Sequence, residues 1–118
     1  MISSDGTIKQ RVIKTRDGHL IILEDSPGEP AIRIIDKTGN NKILIDSSEN
    51  KITIQADGDI VMEAKKKVMI KGEQGVEIES GMALKIKSQA NVKVEGTANV
   101  DVKANAQVNI KGSLVNLN

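Results

Sequence analysis

The sequence contains no phenylalanine, tyrosine or tryptophan among its 118 residues. Aromatic side chains normally supply much of the buried area of a globular core, so this chain must fill any interior with Val, Ile, Leu, Met and Ala. Apolar residues make up 38% of the sequence, which is enough for some kind of core. Because only narrow aliphatic side chains are present, we expect that core to be thin.

The chain also lacks cysteine and has a single histidine, His19. The absence of cysteine excludes disulfides, thiolate metal sites and thiol nucleophiles, and one histidine excludes any centre that needs two from one chain. We interpret His19, which follows a turn, as an ordinary strand residue of a hairpin. A less favoured alternative brings three copies of His19 together on an axis, where they could bind Zn²⁺ or an anion. We therefore predict no catalytic, cofactor-binding or metal-binding residues, and no enzymatic activity.

Charge of one sign does not dominate either. The sequence has seventeen Lys and Arg residues and sixteen Asp and Glu residues, which gives a net charge of +1, and residues of both signs are spread along the chain. This balance does not favour attraction to nucleic acid or to anionic lipid. No apolar run approaches the length of a membrane span, and the N-terminus lacks the apolar stretch of a secretory signal. We expect neither a signal peptide nor a transmembrane segment.

Residues 1–51 predict a series of short β-strands joined by turns. The turn signals are Asp17-Gly18, Pro27-Gly28 and Gly39-Asn40, where glycine supplies positive φ and Asp or Asn tolerates it. No segment predicts a helix. The predicted strands are Ile8 to Lys14, His19 to Glu24, Ala31 to Ile35 and Ile43 to Asp46, and a fifth from Ile52 to Ala56 overlaps the next segment.

A repeat of eight residues begins at Ile52 and defines the second segment, residues 52–118. The first and third positions of every octad are aliphatic, and mostly charged or polar residues separate them, which indicates a half-buried strand of about five residues. The sixteen aliphatic residues are Ile52, Ile54, Ile60, Met62, Val68, Ile70, Val76, Ile78, Leu84, Ile86, Val92, Val94, Val100, Val102, Val108 and Ile110. The fifth position is always Ala, Ser or Gly, with glycine at Gly72, Gly96 and Gly112.

Three architectures fit a strand of five residues followed by a corner of three. A meander sheet needs a second layer to cover it, and the sequence offers none. A single-chain solenoid with three octads per coil has fewer than three coils in residues 52–115, below what such arrays need. The third is a prism in which three identical chains intertwine, so that each face gains eight stacked strands. We favour this all-β, triple-stranded β-helix, with the sixteen aliphatic residues as its core and the small fifth residues where chains or a bent backbone approach closely.

The octads resemble the C-terminal needle of contractile-tail spike proteins, a family that includes phage baseplate spikes and the valine-glycine repeat protein (VgrG) of type VI secretion. The segment from Thr15 to Ala64 is similar to the family's lead-in to the needle. It has Gly18-His19, Asp25-Ser26-Pro27-Gly28, Asp36-Lys37-Thr38-Gly39-Asn40 and Ile45-Asp46 in the family's order. The resemblance implies a homotrimeric spike that is assembled in the cytoplasm or virion, exported with the particle and driven through a target membrane.

The sequence departs from the family at both ends. Upstream tube-binding and oligosaccharide-binding modules of the family are not present, so the chain looks like the needle portion alone. Some phage spikes end in paired histidines that hold iron, whereas residues 111–118 contain no histidine. By analogy with the family, Val115, Leu117 and Asn118 are expected to form a blunt end that contacts a conical PAAR-repeat tip protein.

Two rival functions follow from the same residues. A trimeric fibre stalk or adhesin would display a receptor-binding tip, although the absence of aromatic residues disfavours carbohydrate recognition. A single-chain β-helical enzyme would need clustered acids, bases or calcium ligands over many coils, for which the chain is too short.

Lys65, Lys66 and Lys67 form a basic corner. We interpret this corner as a solvated ring in the trimer, and the alternative is a contact with phosphate or lipid headgroups.

Overall fold

The computed structural model describes residues 9–118. By the density of its internal contacts the chain separates into a unit that ends at Ile70 and a second unit, Lys71–Asn118. All strands lie in the first unit, and no helix is present in the described residues. The all-β class is therefore confirmed. Within residues 9–118 we find no helix with the length and apolar content needed to cross a membrane.

Five strands form one antiparallel sheet in the order β1-β2-β3-β4-β5. Each predicted strand is confirmed; the third has the predicted bounds, and the others differ by a residue or two at one or both ends. Ile8, the predicted start of the first strand, lies outside the described residues. The strands are β1 (Gln10–Lys14), β2 (Leu20–Glu24), β3 (Ala31–Ile35), β4 (Lys42–Asp46) and β5 (Lys51–Gln55).

Turn chemistry fixes how successive strands pair. Gly18 (φ 104°) and Gly39 (φ 79°) both have positive φ, which costs glycine little because it lacks a Cβ. The Gly18 amide donates to the Thr15 carbonyl at 3.0 Å, and the Gly39 amide donates to the Asp36 carbonyl at 3.0 Å. Each turn thus closes on itself and returns the chain beside the preceding strand.

The pairing register places one continuous apolar surface on a single side of the sheet, which we call the isoleucine face. Its first row contains only isoleucine, and its second row contains one arginine and four aliphatic residues. The first row is Ile13, Ile21, Ile34, Ile43 and Ile54; the second is Arg11, Leu23, Ile32, Ile45 and Ile52. The opposite side carries both charged and apolar residues. Arg33 Nη1 lies 3.7 Å from Glu24 Oε1 there, and Ala31 is the one buried apolar residue among those described.

Hydrogen bonds to three carboxylates organise the polar edges of the sheet. Ser26 and Gln10 donate to Glu24 and lower the pKa of this carboxyl, the Ser26 bond contributing most. Ser48 donates to Asp46 at 2.6 Å and similarly lowers the pKa of Asp46. Because these bonds favour the ionised form, Glu24 and Asp46 hold their hydrogen-bond partners best when they carry charge.

The turn between β3 and β4 has the strongest such site. The Thr38 hydroxyl donates to Asp36 Oδ1 at 2.7 Å, the Asn41 side-chain amide donates to Asp36 Oδ2 at 2.8 Å, and the Gly39 amide donates at 3.2 Å. These bonds lower the pKa of Asp36 from its ordinary value of 3.8 to about 2. Asn41 Oδ1 in turn accepts from the Asp57 amide at 2.9 Å. Asp36 therefore orients the side chain that holds the first residues after β5.

We predict that Asp36→Asn makes the chain less stable at neutral pH and less sensitive to acid. The pKa of Asp36 is depressed in the folded state, so its stabilisation is complete above about pH 4 and is lost as the pH falls towards about 2. Thermal unfolding of the full chain, followed by circular dichroism between pH 2 and pH 7, measures this. Asp17→Asn is the matched control, since none of the described residues hydrogen-bonds to the Asp17 side chain. Equal acid sensitivity of D36N and wild type would contradict the assignment.

Candidate assembly interface

The second segment bends at regular intervals. After β5 the backbone forms no helix or strand and bends at residues 57–58, 65–66, 73–74, 81–82, 89–90, 97–98, 105–106 and 113–114. Every bend falls at the sixth and seventh positions of an octad, where the sequence predicts a corner. The period of eight in the residue pattern is therefore also a period of eight in the backbone.

The octad aliphatic residues are exposed in the single chain. Residues at the first position are 48–66% exposed, and residues at the third position are 61–75% exposed. Every residue from 57 to 118 is exposed. Exposed apolar side chains in such number are typical of surfaces that take part in an interaction.

The backbone of this segment also has few partners. From Ala56 to Asn118 no backbone amide donates to a backbone carbonyl of another described residue. Three local bonds to serine are formed: the Ser80 hydroxyl donates to the Ala83 carbonyl, and the Ser80 and Ser88 hydroxyls accept from the Met82 and Ala90 amides. Because backbone N–H and C=O groups pair when strands are buried, these segments have the free edges that strand addition requires. The sequence predicts half-buried strands here, whereas residues 57–118 are exposed and form no strand, because no second strand lies beside them.

The isoleucine face of the sheet is also apolar and largely exposed. Eight of its nine aliphatic residues are 37–66% exposed, and Ile45 is half-buried. A shallow groove of about 460 Å³ runs along its first row and is lined by all five isoleucines of that row. Ile52 and Ile54 of β5, the aliphatic pair of the first octad, complete the two rows. The aliphatic pair thus starts on the same side of the backbone as the apolar face of the sheet.

Sequence reasoning missed Ile13, Ile21, Ile34 and Ile43 as part of this surface. The signal was present in the spacing of two between aliphatic residues of each strand, such as Ile32 and Ile34. Only the pairing register shows that these residues align across all five strands. A single strand read alone does not distinguish the isoleucine face from the mixed face.

The glycines at the fifth position lie where the corner closes most tightly. A Cβ on Gly72 would collide with the carbonyl oxygen of Gly75, and a Cβ on Gly96 would collide with that of Asn99. At Gly112 the nearest atom, the Leu114 carbonyl oxygen, is 3.2 Å from such a Cβ. All three close approaches are within one chain. At Gly72 and Gly96 the neighbouring atom belongs to the third residue of the corner that follows, and at Gly112 it belongs to the second residue of that corner.

Other residues singled out by the sequence occupy ordinary positions. His19 Nδ1 accepts from the Lys37 amide at 3.1 Å, which joins the first and third turns. The Lys65 to Lys67 corner is exposed, as are Asp57 and Asp59. Residues 9–118 contain no group of three or more His, Asp or Glu side chains placed to hold a metal ion.

The C-terminal residues are exposed as well. Val115 is 46% exposed and Leu117 is 85% exposed, and Asn118 is also exposed.

Comparison of the sequence with protein-family models gives no match, and comparison with curated proteins gives no match either.

We predict that Gly96→Ala destabilises the chain by about 1–3 kcal/mol, because the added Cβ forces the corner at Asn99 to move. Gly112→Ala should cost less, since its nearest neighbour is farther away. Gly81→Ala is the control: no atom lies within 4 Å of a Cβ at this position. Urea unfolding of the three variants tests the order, and a G81A variant as unstable as G96A would show that corner sterics do not explain the fifth position.

Proposed function

We propose that this chain is a non-enzymatic, homotrimeric needle that forms the membrane-piercing tip of a contractile injection apparatus. The observation that carries the proposal is the octad segment, in which exposed aliphatic pairs and unpaired backbone edges recur with one period. When identical chains supply strands to one another, the aliphatic pairs become covered and the backbone edges become paired. The resemblance of the octads and of the lead-in segment to contractile spikes supports the piercing role.

Three chains suit the repeat better than one. Each octad supplies one strand and one corner, so three octads return a chain to the face on which it began. A single chain therefore stacks only two or three strands on each face, whereas three intertwined chains stack eight at about 4.8 Å, a rod of roughly 40 Å. In that rod the aliphatic pairs face the axis and the fourth residues face water.

The mechanism of such a needle is mechanical. Contraction of a sheath supplies force, and the rod transmits it because each layer is bonded to the layers above and below by cross-chain hydrogen bonds. In this proposal the residues that matter most are the inner aliphatics, with Val92, Val94, Val100 and Val102 central. No residue is required to do chemistry, no cofactor is needed, and the partners are two further copies, a target membrane and a PAAR-repeat tip protein.

We predict a solution mass of about 38 kDa, three times the 12.7 kDa of one chain, by light scattering coupled to size exclusion. Val94→Asp should abolish the trimer, because three carboxylates would be buried around one axis at a cost on the order of several kcal/mol each. Thr97→Asp, an exposed corner residue three positions after Val94, is the control and should remain trimeric. A monomeric wild type, or a V94D variant that stays trimeric, would refute the proposed core.

We predict that the C-terminal end captures a PAAR-repeat protein in a pull-down and that Leu117→Asp weakens capture at least tenfold without changing the mass of the trimer. Leu117 is the most exposed large apolar residue of residues 111–118, so a charge there removes apolar contact without disturbing a core. Ser113→Asp, at the preceding corner, is the matched control. Binding to a glycan array with no capture of the PAAR-repeat protein would favour the fibre or adhesin alternative.

A further inference from the structure

Two apolar side chains of the octad segment lie outside the aliphatic pairs. Val61 and Met69 occupy the second position of consecutive octads, and both belong to the unit that ends at Ile70. At the same position the other octads have a charged or polar residue: Thr53, Glu77, Lys85, Lys93, Asp101 and Asn109. The octad pattern therefore does not account for an apolar residue at these two places.

Val61 and Met69 are more exposed than the aliphatic residues beside them. Val61 is 79% exposed and Met69 is 81% exposed, above the 48–70% of the four aliphatic residues that flank them. Neighbouring side chains of a β-strand point to opposite sides, so a strand that turns its aliphatic pair to the axis of the needle turns its second position outwards. Assembly of the proposed trimer therefore covers the pairs and leaves Val61 and Met69 in water.

A basic corner separates these two residues along the chain. Lys65, Lys66 and Lys67 are exposed, and Glu63 is the one acidic residue between Val61 and Met69, so three lysines and one glutamate leave this stretch basic. Within residues 9–118 no carboxylate lies at ion-pair distance from the three ammonium groups. We call Val61, Lys65, Lys66, Lys67 and Met69 the collar.

The composition of the collar fits the headgroup layer of an anionic membrane. Apolar side chains beside unpaired lysines are typical of surfaces that rest in this layer. The ammonium groups attract the anionic headgroups, while the methylene stems of lysine lie along apolar neighbours. A nucleic acid offers phosphates but no apolar layer for Val61 and Met69. The two apolar residues therefore favour a membrane contact over a solvated ring.

The position of the collar along the proposed needle also fits a bilayer. Six complete octads, residues 68–115, follow the lysine corner. At about 4.8 Å per octad they extend about 29 Å, and the hydrocarbon core of a bilayer is about 30 Å thick. When the C-terminal end of the needle reaches the far side of a membrane, the collar therefore reaches the headgroups on the side of entry.

We infer that the collar binds anionic lipid headgroups on the side from which the needle enters. This inference rests on the proposed function for its length argument and adds which part of the needle contacts the lipid, and which lipid it selects. In the trimer each copy contributes three lysines and two apolar side chains to one ring around the rod. Repetition of a weak contact around one rod strengthens the binding of the whole.

Sedimentation with vesicles tests the lipid contact. The full chain should bind vesicles of phosphatidylcholine and phosphatidylserine, mixed three to one, about tenfold more tightly than vesicles of phosphatidylcholine alone. K65E/K66E/K67E should remove this preference, because the reversed corner repels anionic lipid. V61S/M69S should weaken binding severalfold and leave the mass of the trimer unchanged, because neither residue belongs to the core.

A second charge reversal separates the collar from net charge. K85E/K87E/K103E changes the charge of the chain by the same amount at three exposed lysines outside the collar. It should weaken binding to the mixed vesicles about fivefold less than K65E/K66E/K67E does, because charges farther from the contact are screened by salt. Equal losses in the two variants would show that net charge governs binding and would overturn the inference.

Tryptophan fluorescence reports the apolar part of the contact, because the chain has no tryptophan, tyrosine or phenylalanine. The emission of Met69→Trp should shift to shorter wavelength when mixed vesicles are added, since the indole then enters the headgroup layer. Asn109→Trp is the matched control. It lies at the same octad position, is also exposed and should not shift.

The outcomes separate the two proposals. A trimeric mass with phosphatidylserine-dependent binding and a shift in M69W supports the inference. A trimeric mass with no binding to mixed vesicles, or with binding but no shift in M69W, overturns the collar and leaves the needle standing. Retention on duplex DNA without binding to vesicles does the same. A monomeric mass overturns the needle, and the vesicle result then decides on the collar alone, since its residues are exposed in the single chain.

Discussion

An extended backbone cannot satisfy itself, and the rest of this protein depends on that constraint. A helix pairs its own N–H and C=O groups, but a strand needs another strand beside it. Residues 56–118 form no helix or strand, bend every eight residues and make no backbone pairs with one another. Their aliphatic residues are also exposed, since no part of the segment covers them. In the proposed needle, further copies of the chain supply both the missing strand partners and the missing apolar contacts.

The antiparallel sheet prepares the chain for this arrangement. Its hairpins pair locally and therefore form without a partner, yet they leave the isoleucine face open. Strand β5 belongs to both segments, because Ile52 and Ile54 close the apolar rows and begin the octads. The hydrogen bond from the Asp57 amide to Asn41 holds the first corner against the sheet. The sheet thus sets the direction in which the first octad leaves.

Local features could be predicted from the sequence, and long-range ones could not. Asp17-Gly18 and Gly39-Asn40 locate turns because only certain residues accept positive φ, so the five strands follow. The corners follow from small residues such as Gly72 and Gly96. The isoleucine face was not evident, because alignment of Ile13 with Ile54 requires the register of four separate strand pairs. The network around Asp36 was also missed, since Asp-Lys-Thr-Gly-Asn reads simply as a turn and does not show that Asn41 reaches Asp57.

The regular bends have a consequence for how such a chain can change length. In the proposed needle each octad adds one strand to the stack, so the insertion or deletion of one octad would change its length by about 4.8 Å without disturbing the pattern of the others.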